Sequence, residues 1–271
     1  MNLIPISTLD TPEVSLYAQS RESQLAHYFE PAPGLFLAES CHVIERALDA
    51  GCQPLSFLVE TEKLKDPFTR RLLERCEGTP VYAAKPALLR EIIGYHLTGG
   101  ILSAMYRKEL PSAAALCTAS RRIAVMEAVT NPTNVGAIFR SAAALGMDAV
   151  LLQKGCSDPL YRRAIRVSMG NVFQIPWTVL SETDSEQLFP LLKYHGYQTI
   201  AMALTENAVR LQDLSVEPDE KLAVFLGNEG YGLSPQTIQA CDTVVMIPMK
   251  HHVDSLNVAA ASAVVFWELT V

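Results

Sequence analysis

The chain has 271 residues, 49% hydrophobic and 19% charged, with a formal net charge of −7. That length holds two ordinary domains or one large one, and the composition excludes a disordered or fibrous chain in favour of a globular one with a sizeable core. No apolar run reaches the roughly 18 residues that cross a bilayer, the opening Met1–Glu13 has no basic stretch followed by an apolar one, and the acidic balance argues against indiscriminate nucleic-acid binding; a cytoplasmic protein is expected.

Residues 1–30 are polar with no sustained period and predict a loosely packed arm with a short helix near Ser20–Tyr28. From Gly34 the pattern sharpens. L-F-L-A-E reads as a strand, and the following run from His42 as a helix closed by Gly51, which can take the left-handed position after a helix end. Ser56–Glu60 is the next strand, Phe68–Gly78 a helix, Thr79–Ala84 a strand, and Pro86–Ile93 a helix with proline in its first turn. This alternation predicts a small α/β domain over residues 31–110 with a largely parallel sheet. Pro111 and the small residues after it mark residues 111–120 as a linker.

The alternation resumes over residues 121–271. Ile123–Glu127 is strand-like, the turn-rich Thr130–Gly136 feeds a helix reaching Leu145, and Ala149–Leu152 is another apolar strand. A helix over Pro159–Met169, a short strand at Val172–Ile175 and a helix over Glu182–His195 follow. Strands at Gln198–Leu204 and Leu222–Leu226, a short helix at Pro235–Ala240, a strand at Thr243–Met249 and a long apolar helix complete the chain.

The six cysteines form no CxxC pair and the six histidines no HExxH, so no metal site is expected and the thiols read as small reduced hydrophobes. Arg162, Arg163 and Arg166 share about one helical turn, and Arg121–Arg122 precede a strand. On an acidic chain such clusters are either solvated faces or selective contacts for an anionic partner.

Three stretches carry candidate chemistry. In N-P-T-N-V-G-A-I-F-R, Asn131–Arg140, a polar turn opens a helix presenting one amide and one guanidinium. In G-N-E-G-Y-G, Gly227–Gly232, three glycines surround Glu229 just past an apolar strand, where α/β proteins place their ligands. The register matches neither a dinucleotide fingerprint nor a phosphate-binding loop. In I-P-M-K-H-H-V-D-S-L-N-V-A, a strand ends at Pro248 and the chain re-enters as a helix whose start holds Ser255 and Asn257, good capping residues that also offer a hydroxyl and an amide.

In this order and at this spacing, N-P-x-N-x-G-x-x-x-R, L-G-N-E-G-x-G-L and I-P-M-x5-S-L-N-V-A resemble the SpoU (TrmH-like) branch of the SPOUT RNA methyltransferases. The likeness runs from Ile123 to the C-terminus. More weakly, the first half resembles the small RNA substrate-binding domain, similar to certain ribosomal proteins, that many members carry. The resemblance implies a C-terminal parallel-sheet domain threaded as a deep trefoil knot, an exception to unknotted chains. It also implies S-adenosyl-L-methionine (AdoMet) as cofactor, a homodimer formed through that domain, and an rRNA or tRNA substrate. Carried over residue by residue, Leu204, Gly227, Asn228, Ile247, Met249 and Leu256 line the cofactor pocket, and Asn134, Arg140, Glu229, Ser255 and Asn257 take the catalytic and ribose-positioning places.

The implied reaction moves a methyl group from a sulfonium to a ribose 2′-hydroxyl, a poor nucleophile that must be aligned and relieved of its proton. The family's arginine at the position of Arg140 is proposed as the base. Guanidinium groups hold their protons strongly, so the alternative is that Arg140 binds the adjacent phosphate and stabilises developing charge. Arg162, Arg163 and Arg166 are then natural phosphate contacts. Two departures stand out: Lys250-His251-His252 occupies a loop in which many relatives have glycine, and Ala259 stands where serine is common. A non-catalytic RNA-binding or assembly factor that keeps the fold is the competing reading.

Overall fold

The computed structural model describes residues 2–8, 12–18, 22–27, 34–95, 97, 99–217, 219–251 and 253–270. The chain divides into two compact units, Met1–Glu109 with Leu160–Phe173, and Leu110–Pro159 with Gln174–Val271.

The first unit holds β1 (Asn2–Pro5), α1 (Glu22–Ala26), β2 (Leu35–Glu39), α2 (Cys41–Asp49), β3 (Pro54–Glu60), α3 (Pro67–Glu74), β4 (Pro80–Ala84), α4 (Pro86–Ile93) and β5 (Ile101–Tyr106). Its sheet runs β1-β4-β3-β5-β2. β1, β4 and β3 are parallel, but β5 is antiparallel to both β3 and β2. The largely parallel sheet expected from the alternation is therefore mixed, because the chain turns back at Gly99-Gly100, both at positive φ, and inserts one more strand. Local sequence begins and ends the helices as expected. Asp66 accepts from the Thr69 N–H with Pro67 behind it to start α3, and Gly94, left-handed at φ 81°, stops α4.

The described parts of residues 1–30 are packed, not a loose arm. β1 forms a sheet edge, and Val14, Leu16 and Tyr17 enter the core beside Leu58 and Leu89. The expected helix is α1; Ser20 and Tyr28 lie outside the described residues. The Tyr17 phenol is buried, paired with Ser56 Oγ at 2.7 Å, and accepts from the Ala104 N–H at 3.3 Å.

In the second unit come α5 (Ala113–Ala119), β6 (Arg122–Met126), α6 (Pro132–Ala144) and β7 (Ala149–Leu152). After α7 (Arg162–Val167), which groups with the first unit, follow β8 (Trp177–Val179), α8 (Glu182–Glu186), α9 (Leu188–Tyr194), β9 (Tyr197–Met202), β10 (Val209–Arg210), β11 (Lys221–Leu226), α10 (Pro235–Ala240), β12 (Thr243–Met246) and α11 (Val258–Thr270). The seven strands run β10-β12-β9-β11-β6-β7-β8, every pair parallel. Strands β6, β7 and β11 are almost wholly buried, as near-continuous apolar runs covered on both faces must be.

Three further expectations are corrected. The linker 111–120 contains α5, capped by Ser112, whose Ala113, Leu116 and Cys117 enter the core. The strand placed at Val172–Ile175 is instead a 3-10 turn at Asn171–Phe173, with β8 beginning only after Pro176. The single helix Glu182–His195 is two helices meeting at Gln187, since Pro190 lacks the N–H that a continuous helix needs there. The six cysteines are free, with Cys52, Cys76 and Cys117 buried. Among the described residues no helix is long and apolar enough to cross a membrane.

Removing the Tyr17 hydroxyl strands both Ser56 Oγ and the Ala104 N–H in a dry interior. Tyr17→Phe is expected to cost about 2 kcal/mol in urea unfolding. A loss below about 0.5 kcal/mol would show that the hydroxyl is not engaged in this way.

Candidate functional site

All seven strands point the same way, so the loops after β6, β9, β11 and β12 emerge at one edge of the second unit. β11 lies between β9 and β6, which places Gly227–Gly232 beside the loop that leads from β6 into α6.

Glu229 joins these loops. Its carboxylate accepts from the backbone N–H groups of Thr130 at 3.4 Å and Asn131 at 3.1 Å, and from Asn134 Nδ2 at 2.9 Å. Asn134 is 7% exposed and passes the connection on, its Oδ1 accepting from Asn257 Nδ2 at 3.1 Å. Asn257 Oδ1 in turn caps α11 through the Ala259 N–H at 3.0 Å. Asn131 caps α6 itself, accepting from Thr133 N, with Pro132 in the first turn. Partial burial pushes the Glu229 carboxyl up, but hydrogen bonds from Asn134 and from backbone N–H groups at 229, 131 and 130 outweigh it and hold the group below the usual carboxylate range. Glu229 is thus a charged acceptor at the positive end of α6, suited to orienting the Asn134 amide rather than to donating a proton.

The loop bearing Glu229 is closed by backbone. Asn228 and Gly232 exchange N–H···O bonds of 3.0 Å in both directions, and Asn228 Oδ1 accepts from Gly230 N at 2.7 Å and Tyr231 N at 3.3 Å. Asn228 Nδ2 donates to the Ala128 carbonyl at 2.7 Å, and Ala128 sits at φ 51°, a conformation costly for a residue with a Cβ. A Cβ on Gly227 would lie 2.3 Å from the backbone at Gly232 and Leu233, so only glycine fits. Glu127 clamps the far side, accepting from Ser234 N at 2.8 Å and from Thr237 Oγ1.

A cleft of about 330 Å³ opens between these loops. Leu204, Gly227, Asn228, Ile247, Met249 and Leu256, all expected to line a cofactor pocket, do line this cleft, as do Glu229 and Ser255. Met202 and Met246, the last residues of β9 and β12, and Tyr231 and Asp254, on the loops, also line it and were not anticipated, because no local period marks where a strand end or loop meets a cleft. Among the described residues the lining carries two carboxylates, Glu229 and Asp254, and no lysine or arginine. That donor set suits a largely apolar, cationic ligand and opposes a phosphate-bearing one. The volume is at the lower end of small-molecule sites.

Not every candidate joins this constellation. Arg140 lies nearly two turns beyond Asn134 on the exposed side of α6, outside the Glu229 network and the cleft lining, and makes no hydrogen bond or ion pair among the described residues. In the first unit, the Arg162 guanidinium lies 4.7 Å from the Tyr95 ring centre and 3.5 Å from the buried Glu39 carboxylate, so its first task is packing, whereas Arg163 and Arg166 are exposed. Arg121 pairs with Asp219 at 2.8 Å, and Arg122 is part-buried and donates to the Leu269 and Glu220 carbonyls. His251 is exposed; His252 lies outside the described residues.

A family model for the SpoU rRNA Methylase family matches residues 121–267. An uncharacterized tRNA/rRNA methyltransferase of Mycobacterium bovis is 38% identical over 242 residues, 87% of this chain and 81% of that protein. The 23S rRNA (guanosine(2553)-2′-O)-methyltransferase RlmP of Bacillus subtilis is 30% identical over 183 residues, 65% of this chain and 71% of that protein. The fold is shared with an AdoMet-bound rRNA methyltransferase from Sinorhizobium meliloti, 20% identical, with a TM-score of 0.81 covering 98% of this chain and 97% of that one. It is also shared with the methyltransferase AviRb from Streptomyces viridochromogenes in complex with AdoMet, 22% identical, with a TM-score of 0.76 covering 94% and 95%.

Because the folded carboxyl of Glu229 is held below its ordinary value of 4.5, its contribution to stability is present above that value and lost as pH falls through the lowered one. Glu229→Gln is expected to lower Tm by about 2–4 °C at pH 7, the scale of a lost helix cap. The difference from wild type should narrow as pH falls below 4.5. Melting curves from pH 3 to 8 check this, and a gap that stays constant over that range would contradict it.

Proposed function

The chain belongs to the SpoU rRNA methylase family, and from that premise we propose that it is an AdoMet-dependent RNA 2′-O-methyltransferase acting on a ribose of rRNA or tRNA. The observation that carries the reading is the convergence of three separate loops on one cleft lined, among the described residues, by two carboxylates and no lysine or arginine. When bound, AdoMet supplies a methyl group on a positively charged sulfur.

Leu204, Ile247, Met249 and Leu256 provide apolar cover that keeps water from the reacting centre. Gly227 and the ring closed by Asn228 and Gly232 present backbone rather than side chains to the ligand. Asn134, Glu229 and Asn257 hold one another in fixed orientations and act as the frame for the ribose, with the Ser255 hydroxyl beside them on the cleft wall. Arg140 takes the neighbouring phosphate and stabilises charge developing on the 2′-oxygen, whose proton passes to solvent water as the oxygen takes the methyl group. Its exposure and lack of partners support this role over that of a base, since guanidinium groups keep their protons.

The trefoil knot belongs to the same proposal. β11 enters between β9 and β6, strands laid down earlier, and the chain returns to pack α11 on α6, as a threaded C-terminal segment must. A cytoplasmic homodimer formed through the catalytic domain is likewise proposed. Its support is an uncovered apolar strip on α11, where Val264 is 43% and Trp267 59% exposed. The first unit serves as the RNA substrate-binding domain, with Arg163 and Arg166 as phosphate contacts.

Arg140→Lys keeps the charge but loses the planar fork, and methyl transfer to RNA is expected to fall by about 100-fold while calorimetric AdoMet affinity is retained. Near wild-type transfer would overturn the assignment of Arg140, and a wild-type protein that binds no AdoMet would favour the non-catalytic alternative. Reversing Arg163 and Arg166 to glutamate is expected to weaken RNA binding and reduce the slope of log K against log salt by about 2. An unchanged slope would remove both from the RNA contact.

A further inference from the structure

Tyr231 is 76% exposed, yet its backbone is held in a hydrogen-bonded loop. Its N–H is held by Asn228 Oδ1, and the Asn228–Gly232 bridge closes on either side of it. Its chain neighbours are Gly230 and Gly232, so neither face of the ring is shielded by an adjacent side chain. Tyr231 is among the residues lining the cleft, next in the chain but one to Glu229, and no ring contact or cation lies against it among the described residues. Folding gains little from leaving a large aromatic in water on a rigid stalk.

The charges nearby limit what such a ring can bind. The cleft offers two carboxylates and no lysine or arginine, so an RNA strand cannot be gripped there through its phosphates. A flat apolar face remains available, and unstacked nucleobases bind aromatic faces irrespective of sequence. We infer that Tyr231 is a positioning residue that stacks on an unpaired nucleobase at or beside the target nucleotide and so delivers the ribose to the cleft. This rests on the reading of the chain as an RNA methyltransferase and extends it to the substrate: the target lies in a single-stranded or opened segment, recognised there by stacking rather than by charge.

The test compares wild type, Tyr231→Ala, Tyr231→Phe and Tyr231→Trp. AdoMet binding is measured by calorimetry, and methyl transfer uses radiolabelled AdoMet with total RNA from cells lacking the protein. Tyr231→Ala is expected to raise the half-saturating RNA concentration about 10-fold, with AdoMet affinity within twofold of wild type, while Phe and Trp restore it. Tyr231→Trp should also show fluorescence quenching by a mixed-sequence single-stranded RNA oligonucleotide beyond that of wild type, whose two tryptophans are the background. Unchanged RNA saturation in Tyr231→Ala, or no additional quenching in Tyr231→Trp, overturns the inference. So does a parallel loss of AdoMet affinity, which would make the ring a cofactor cover, or a change in oligomeric mass, which would make it an interface between copies. Failure of wild type itself to bind AdoMet or methylate RNA strikes the underlying reading instead, so the two failures are distinguishable.

Discussion

A carboxylate placed at the start of a helix is favoured by unpaired N–H groups and by the helix dipole, and Glu229 exploits both while standing on a different loop. That one group binds the segment after β6 to the segment after β11. Through Asn134 and Asn257 the same chain of hydrogen bonds reaches the start of α11. The α6 turn is thereby held in a single wall with two segments that lie 95 and 123 residues further along the chain. Removing any member leaves buried or half-buried polar atoms facing one another unpaired, a penalty larger than the net worth of one hydrogen bond. The wall is rigid because its alternatives are expensive.

The fold supplies the setting for that interaction. A wholly parallel sheet gathers its loops at the carboxyl edge, and inserting β11 between β9 and β6 brings the glycine loop against the α6 turn. Had β11 added at the sheet edge instead, Glu229 would lie several strand widths from Asn134. The backbone devices are local answers to crowding at this junction. Gly227 has no room for a Cβ, and Ala128 is held left-handed where Asn228 bonds its carbonyl. Strain of this kind is tolerated where surrounding hydrogen bonds over-determine the conformation.

What the sequence disclosed follows from where each kind of information is stored. Strands such as β2, β6 and β11 and helices such as α4 were legible because apolar runs, prolines and terminal glycines act within a few residues. β5 escaped notice because its place between β3 and β2 depends on partners more than 40 positions away, and β1 because an edge strand of four residues has no period to show. Glycine and proline made the cleft readable, since a backbone requirement dictates residue type. Side-chain direction was not readable. Tyr231 and Asp254 come to line the cleft only because their loops turn as they do. Arg162 likewise resembled a phosphate contact until Tyr95 and Glu39, distant in sequence, were found against it.

Charge distribution ties the site to its substrate. A chain of net charge −7 repels polyanions at long range, and the two carboxylates lining the cleft add to that repulsion locally. RNA must therefore be drawn in by local basic groups outside the cleft and then engaged at the cleft by contacts that do not depend on phosphate. In the proposed reading, the exposed guanidinium of Arg140 is of the first kind and the ring of Tyr231 of the second. The carboxylates serve the opposite purpose, favouring a cation inside the cleft. Separating anion recognition from cation recognition lets one small site accept a positively charged donor and a negatively charged acceptor without either neutralising the other's binding groups.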